Sequence, residues 1–189
     1  MALPQEQRYT LADALEWEEG VRIELVDGVP VMQASPARRH QEISGELFAF
    51  LHDYLRGKKC KVYHAPFSVR PFETKEDTPD SVDTVVEPDI TLVCDPDKLD
   101  DIGCKGAPDM IAEIISPSTQ RHDRVTKFNL YQQAGVKEYW IVDPDTETVQ
   151  VYLLEDGQYH AAQVYTKQSR VKVESLENCF IDLGQVFVE

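Results

Sequence analysis

A charged residue interrupts an apolar stretch near the middle of the chain. Glu113 stands within the run Met110-Ile111-Ala112-Glu113-Ile114-Ile115. A carboxylate buried alone in a sheet costs several kcal/mol, so Glu113 requires a cation or a metal ion beside it. Two residues are candidates, namely Asp89 in the preceding apolar stretch and Lys127 in the helical pattern that follows. Two carboxylates and one lysine predict a metal-dependent hydrolytic site.

The elements that carry these residues predict how they meet. Adjacent strands lie about 4.8 Å apart, so Asp89 and Glu113 can share a divalent ion if their registers match. The main-chain carbonyl of Ile114 would complete an oxygen-rich site suited to Mg²⁺ or Mn²⁺. Tyr131 follows Lys127 by one helical turn, so we expect one face of the helix to present both to the metal.

Length and composition indicate one domain over residues 1–189, since 42% of the residues are hydrophobic and can bury a substantial core. No apolar stretch approaches the ~20 residues of a membrane span, and the first residues lack the apolar core of a signal peptide. We therefore expect a cytoplasmic protein without a membrane partner. The four cysteines and five histidines lack the spacing of a zinc site or a disulfide framework, which predicts reduced thiols.

The net charge of −15 is opposite to that expected of a nucleic-acid-binding protein. Much of it is local, because residues 73–109 hold twelve Asp and Glu against three Lys. The basic residues cluster at Arg38-Arg39, at Lys58-Lys59-Cys60-Lys61, and at Arg121, Arg124 and Lys127. A local positive groove is therefore compatible with an acidic protein.

Hydrophobic periodicity and turn residues predict an α/β or α+β fold, with a mixed sheet and helices packed on it. A hairpin is centred on Asp27-Gly28. The predicted helices cover 10–19, 36–56 and a segment that starts at a Ser118 or Thr119 cap and ends near Gly135. The predicted strands cover 21–25, 29–32, 61–71, 85–94, 110–115, 138–142 and several runs in 149–188, with a loop over 95–108.

Six segments resemble a known family in their order and spacing. They are Glu24-Leu25-Val26-Asp27-Gly28, His40, Pro88-Asp89, Glu113-Ile114-Ile115-Ser116-Pro117-Ser118-Thr119, Asp123-Arg124-Val125-Thr126-Lys127, and Gly135-Val136-Lys137-Glu138-Tyr139-Trp140-Ile141-Val142-Asp143. Together they resemble the Uma-type restriction-endonuclease family, a branch of the PD-(D/E)XK nuclease superfamily, over nearly the whole chain. The resemblance implies a restriction-endonuclease-like sheet with an extra N-terminal hairpin and a β-rich C-terminal part. It also implies an Mg²⁺- or Mn²⁺-dependent endonuclease that acts on DNA, with self-association as a homodimer.

The chain departs from the superfamily pattern at one position. That pattern places a lysine two residues after the glutamate, where this chain has Ile115. The resemblance implies that Lys127 supplies the lysine from the following helix, so that the catalytic residues are Asp89, Glu113 and Lys127. It further implies that His40 and Glu24 border the active site.

Simpler interpretations stand beside these. Glu113 could form a structural salt bridge with Lys127 or Arg124, and Lys127 could be a surface residue paired with Asp123 at i−4. His40 could be a structural histidine, and Glu24 a solvent-exposed hairpin residue. For the whole protein, the alternatives are a non-catalytic binding or assembly module that kept the nuclease fold, and a metal-dependent hydrolase of a small phosphoester, which suits the acidic surface better than DNA does.

Overall fold

The computed structural model describes residues 7–17, 22–116, 121–161 and 163–188. Its helices are α1 (Leu11–Leu15), α2 (Arg38–Tyr54), α3 (Phe128–Ala134) and α4 (Leu183–Val186), together with a 3₁₀ turn at Pro96–Lys98 and a π-helical segment at His122–Lys127. Its strands are β1 (Ile23–Val26), β2 (Val29–Met32), β3 (Lys61–His64), β4 (Ser68–Arg70), β5 (Ile90–Val93), β6 (Gly103–Lys105), β7 (Met110–Ile114), β8 (Glu138–Asp143), β9 (Thr148–Glu155), β10 (Gln158–Tyr159), β11 (Gln163–Thr166), β12 (Arg170–Lys172) and β13 (Phe180–Asp182).

The main sheet is mixed, as predicted. Its strands follow the order β10-β9-β8-β7-β5-β3, and β11 also pairs with β9. β7 and β8 run parallel, whereas β5 is antiparallel to both β3 and β7. A parallel pair requires a long crossover connection. In this protein the π-helical segment and α3 lie within that connection.

Both faces of the main sheet are covered. On one face, Ile43, Leu47 and Leu51 of α2 belong to the same buried cluster as Ala112 and Trp140 of the sheet. On the opposite face, Leu130 and Tyr131 of α3 cluster with Ile111, Tyr139 and Ile141. Residues of β7 alternate between these two clusters, as the period-two pattern requires. No helix in the described part of the chain has the length and hydropathy needed to cross a bilayer.

The N-terminal hairpin is confirmed. β1 and β2 are antiparallel, and the turn residues Asp27 and Gly28 have φ values of 50° and 74°, as expected for an Asp-Gly hairpin turn. Backbone hydrogen bonds between Leu25 and Val85 join the hairpin to the rest of the chain. α1 ends at Leu15 rather than at residue 19, and the predicted elements at 18–21 lie outside the described residues.

Other predicted boundaries needed correction. The predicted loop over 95–108 contains β6, which pairs in parallel with β4. The predicted strand over 61–71 is two short strands separated by a cis Ala65-Pro66 peptide bond. The predicted C-terminal strand ends at Asp182, where α4 begins. The predicted cap at Ser118 or Thr119 lies outside the described residues, whereas the helix end is confirmed, with Gly135 at φ 89°.

The prediction of reduced thiols is wrong for one pair of cysteines. Cys60 and Cys94 form a disulfide with an S–S distance of 2.11 Å. The antiparallel register pairs Lys61 of β3 with Val93 of β5, so the flanking cysteines lie opposite each other across the two strands. Cys104 and Cys179 are free and buried.

Candidate active site

Asp89 and Glu113 meet at one end of the main sheet. The antiparallel register pairs Ile90 with Ala112, so Asp89, immediately before β5, lies opposite Glu113 in β7. The Asp89 Oδ2 atom accepts a hydrogen bond of 2.8 Å from the backbone amide of Ile114. The two carboxylates therefore occupy neighbouring positions, as the matched register requires.

Lys127 and Tyr131 both contact Glu113 from the crossover connection. Lys127 Nζ donates to Glu113 Oε1 at 2.9 Å, and the Tyr131 hydroxyl donates to the same oxygen at 2.7 Å. All three side chains are buried. The interpretation of Lys127 as a surface residue is therefore wrong, whereas a Glu113–Lys127 ion pair is present. Lys127 ends the π-helical segment, a kind of distortion that occurs frequently at functional sites.

Glu24 enters the same cluster from the hairpin. Its Oε1 atom lies 2.9 Å from Lys127 Nζ and accepts a hydrogen bond from the backbone amide of Glu87. The side chain of Glu24 is fully buried, so the expectation of solvent exposure is wrong. The reason is that Glu87 and the π-helical segment cover this side of the hairpin. Lys127 and His122 of that segment both contact Glu24.

His40 contacts the other carboxylate. Its Nε2 atom lies 3.1 Å from Asp89 Oδ2, and the residue is in the first turn of α2. A cavity of about 320 Å³ is bordered by His40, Asp89, Glu113, Ile114 and Lys127. The structure therefore brings together the residues that the sequence predicted. Glu24 contacts Lys127 and Tyr131 contacts Glu113, but neither Glu24 nor Tyr131 borders the cavity.

Lys127 contacts two buried carboxylates whose pKa values are shifted in opposite directions. Burial raises the pKa of Glu113 to about 8; Lys127 opposes this rise, while Asp123, Asp89 and Glu24 add to it. Burial also disfavours the ionised form of Glu24, but Lys127 and His122 lower its pKa to about 2. Burial opposes the charge on Lys127 as well, yet Glu113 and Glu24 raise its pKa well above the usual value.

The donor set fits a hard divalent cation. The hydrogen bonds of Asp89 use Oδ2 and those of Glu113 use Oε1. Among the described residues, Asp89 Oδ1 and Glu113 Oε2 form no hydrogen bond. No group of three or more His, Cys, Asp or Glu within the described ranges is arranged to hold a metal ion. Two carboxylates, a backbone carbonyl and water ligands are instead the kind of environment in which Mg²⁺ is held.

The sequence did not identify every member of the cluster. Asp123 is buried, with Oδ1 3.8 Å from Lys127 Nζ, although its i−4 spacing from Lys127 signalled only a solvated pair. His122 Nε2 lies 3.5 Å from Glu24 Oε2, and no motif announced it. Arg124, the alternative partner of Glu113, contacts Gln150 and Asp143.

Comparisons with known proteins give a family match from the sequence and a fold match from one solved structure. Residues 11–184 match the sequence model of the Uma2 family, described as "Putative restriction endonuclease". The uncharacterized protein slr1290 of Synechocystis sp. is 25% identical over 165 residues, which cover 86% of this chain and 83% of that protein. The crystal structure of a putative nuclease belonging to DUF820 from Anabaena variabilis superposes with a TM-score of 0.72 and 19% identity, and covers 94% of this chain and 97% of that one. The large mixed sheet with few helices is thus shared with this neighbour.

Proposed function

The chain belongs to the Uma2 family of putative restriction endonucleases, and from this premise we propose that it is a metal-dependent endonuclease that hydrolyses phosphodiester bonds in DNA. One observation carries the proposal. Asp89 and Glu113 lie opposite each other at the border of a cavity, with the Lys127 ammonium 2.9 Å from Glu113. Two carboxylates that can hold a metal ion, with an ammonium group beside them, can supply the charge stabilisation used in metal-assisted phosphodiester hydrolysis.

In this proposal, Asp89, Glu113 and the carbonyl of Ile114 hold Mg²⁺ or Mn²⁺. The bound ion would offset charge on the phosphate and make a water molecule more acidic. The protein holds each carboxylate by one oxygen: the amide of Ile114 and His40 contact Asp89 Oδ2, and Lys127 with Tyr131 contact Glu113 Oε1. Such contacts fix the orientation of ligand side chains and leave the other oxygens for the ion.

Lys127 acts as a fixed positive charge rather than as a base. Its ammonium is buried among carboxylates that raise its pKa, so it stays protonated through the pH range in which enzymes operate. In this role it orients the attacking water or offsets the negative charge that develops on the phosphate. In this role it substitutes for the lysine of the superfamily pattern, whose position is occupied by Ile115 immediately after β7.

The test is cleavage of supercoiled plasmid DNA with Mg²⁺ or Mn²⁺, with Glu113→Gln and Lys127→Met beside the native protein. Lys137→Met is the matched control, since Lys137 is exposed and pairs with Asp109 away from the cavity. We expect native cleavage to be lost in the two site variants and retained in the control. Equal cleavage by all four proteins would indicate a contaminating nuclease or a different site.

Other outcomes would favour another function. No cleavage, together with a melting temperature that Mg²⁺ and Mn²⁺ leave unchanged, would favour a binding or assembly module. Activity on nucleotides or model diesters without cleavage of polymers would indicate a small-phosphoester hydrolase, which the net charge of −15 suits. Homodimer formation is a separate prediction, and light scattering that gives the mass of one chain would contradict it.

A further inference from the structure

Arg22 borders the candidate active site but has no part in the cluster described above. It lies immediately before β1, two residues before Glu24. Alternate residues of an extended chain project to the same side, and the Arg22 side chain lines the same cavity as Asp89 and Lys127. About a third of this side chain is exposed, so a ligand in the cavity can reach it.

The border of the cavity is strongly acidic. Its carboxylates come from Glu87, Asp89, Glu113 and Asp123, whereas Arg22 and Lys127 supply the Lys and Arg side chains of the lining that the structure describes. An anionic phosphodiester that enters such a cavity is repelled unless cations compensate for the carboxylates. Besides the divalent ion of the proposed function, a cationic side chain that is free to contact the substrate would reduce this repulsion.

Lys127 is less free than an exposed cation to bind a substrate directly, because two buried carboxylates already contact its ammonium group. An ammonium group carries three N–H donors, and Lys127 Nζ lies 2.9 Å from Glu24, 2.9 Å from Glu113 and 3.8 Å from Asp123. Three carboxylates thus surround one ammonium. Lys127 can act on a substrate through its charge and through one remaining donor, but its side chain is only 3% exposed.

Arg22 has donors available. Its Nε and Nη2 atoms both donate to Glu87 Oε2 at 3.2 Å. A guanidinium has five N–H donors, and within the described ranges no second acceptor contacts that of Arg22, which leaves three. Glu87 in turn is fixed, because its backbone amide donates to Glu24. The guanidinium is therefore held at the cavity from one side and open on the other.

We propose that Arg22 binds a phosphate group of the nucleic-acid substrate, and that Glu87 positions the guanidinium for this contact. The inference rests on the proposed nuclease function. A planar guanidinium with adjacent free N–H groups can contact two phosphate oxygens at once, which a lysine cannot reproduce. Arg22 thereby supplies a bidentate contact to the substrate from a more exposed position than that of Lys127.

The experiment measures binding of a short fluorescent DNA duplex across a series of NaCl concentrations, in the Glu113→Gln background and with Mg²⁺ present. Arg22→Ala should weaken binding about tenfold or more, and should reduce the slope of log K against log [salt] by about one phosphate contact. Arg22→Lys should retain the slope and lose part of the affinity. The control is Arg38→Ala, because Arg38 pairs with Glu42 on an exposed helix surface outside the cavity lining.

The outcomes separate this inference from the proposed function. Native protein that cleaves plasmid DNA, combined with an Arg22→Ala variant of unchanged affinity and slope, would overturn the inference and leave the function standing. Equal losses in Arg22→Ala and Arg38→Ala would also overturn it, since a diffuse charge effect would then account for both. Neither cleavage nor DNA binding by the parent proteins would overturn both proposals.

Discussion

The carboxylate of Glu24 and the ammonium of Lys127 form an ion pair of 2.9 Å in which neither side chain is exposed by more than 3%. The pair joins the N-terminal hairpin to the crossover between β7 and β8. Removal of one member of a buried pair leaves the other charge without a partner in a poorly solvated position. The stability of the protein should therefore depend on Lys127 as well as its activity.

We expect Lys127→Met to lower the free energy of unfolding by about 3–5 kcal/mol, because Glu24 and Glu113 both lose their cation. The measurement is urea denaturation in EDTA. The Lys137–Asp109 pair, in which the lysine is exposed, provides the control, and Lys137→Met should change the free energy by no more than about 1 kcal/mol. Equal effects of the two substitutions would contradict a buried ionic cluster.

A second prediction concerns acid stability. The folded-state pKa of Glu24 is about 2, below its ordinary value of 4.5. The stability that ionised Glu24 contributes is therefore fully present above pH 4.5 and is lost as the pH falls from 4.5 towards 2. Urea denaturation of the metal-free protein at several pH values should show this loss, and the difference between native protein and Glu24→Gln should shrink over the same window.

Glu113 provides a contrast of opposite sign. Its folded-state pKa is about 8 rather than 4.5, so its contribution is fully present below pH 4.5 and is lost as the pH rises towards 8. The metal-free native protein should therefore lose stability relative to Glu113→Gln as the pH rises from 4.5 to 8. If the stability differences of Glu24→Gln and Glu113→Gln from the native protein changed with pH in the same way, the opposite pKa shifts of the two carboxylates would be contradicted.

A third prediction concerns Tyr131. Its hydroxyl donates to Glu113 Oε1 at 2.7 Å in a fully buried position, and a hydrogen bond to a charged group contributes about 1.5–3 kcal/mol. Tyr131→Phe should lower the free energy of unfolding by that amount at a pH at which Glu113 is ionised. Tyr152→Phe removes a longer hydrogen bond to Gln150 and should lower the free energy of unfolding by less. An equal or larger effect of Tyr152→Phe would contradict a strong hydrogen bond between Tyr131 and Glu113.

A fourth prediction separates folding from chemistry. Glu138 in β8 is buried away from the cavity, and accepts hydrogen bonds from Trp140 Nε1 and from the backbone amides of Glu174 and Ser175. Glu138→Ala leaves these donors without their acceptor, so we expect a loss of at least about 2 kcal/mol. Plasmid cleavage below the melting temperature should remain near the native level. Glu155→Ala, at an exposed position of β9, should change neither quantity.

Local signals in the sequence predicted much of the fold. The Asp27-Gly28 pair fixed the position of the hairpin, because both residues adopt positive φ in such a turn. Gly135 marked the end of α3 for the same conformational reason. Glu113 revealed the site because an ionisable residue in a buried strand needs a partner. In each case a few neighbouring residues carry the information.

Other features depend on contacts between distant segments. β6 has three residues, and pairs with β4 across a long stretch of chain, so no local pattern indicates it. The Cys60–Cys94 disulfide follows from the register of β3 with β5, which the cysteine spacing does not reveal. The burial of Glu24 depends on its contacts with Glu87 and Lys127. The sequence predicted a helix over residues 122–127, but its hydrophobic pattern did not indicate that this segment is π-helical.

The position of Lys127 in the crossover constrains the order of folding. β7 cannot bury an ionised Glu113 until the crossover has docked, because Lys127 and Tyr131 are contributed by that connection. The same connection must be in place before β8 can pair in parallel with β7. We therefore expect pairing of the central strands and completion of the ionic cluster to be coupled, so a chain still emerging from the ribosome would lack the Glu113–Lys127 pair until the crossover had been synthesised.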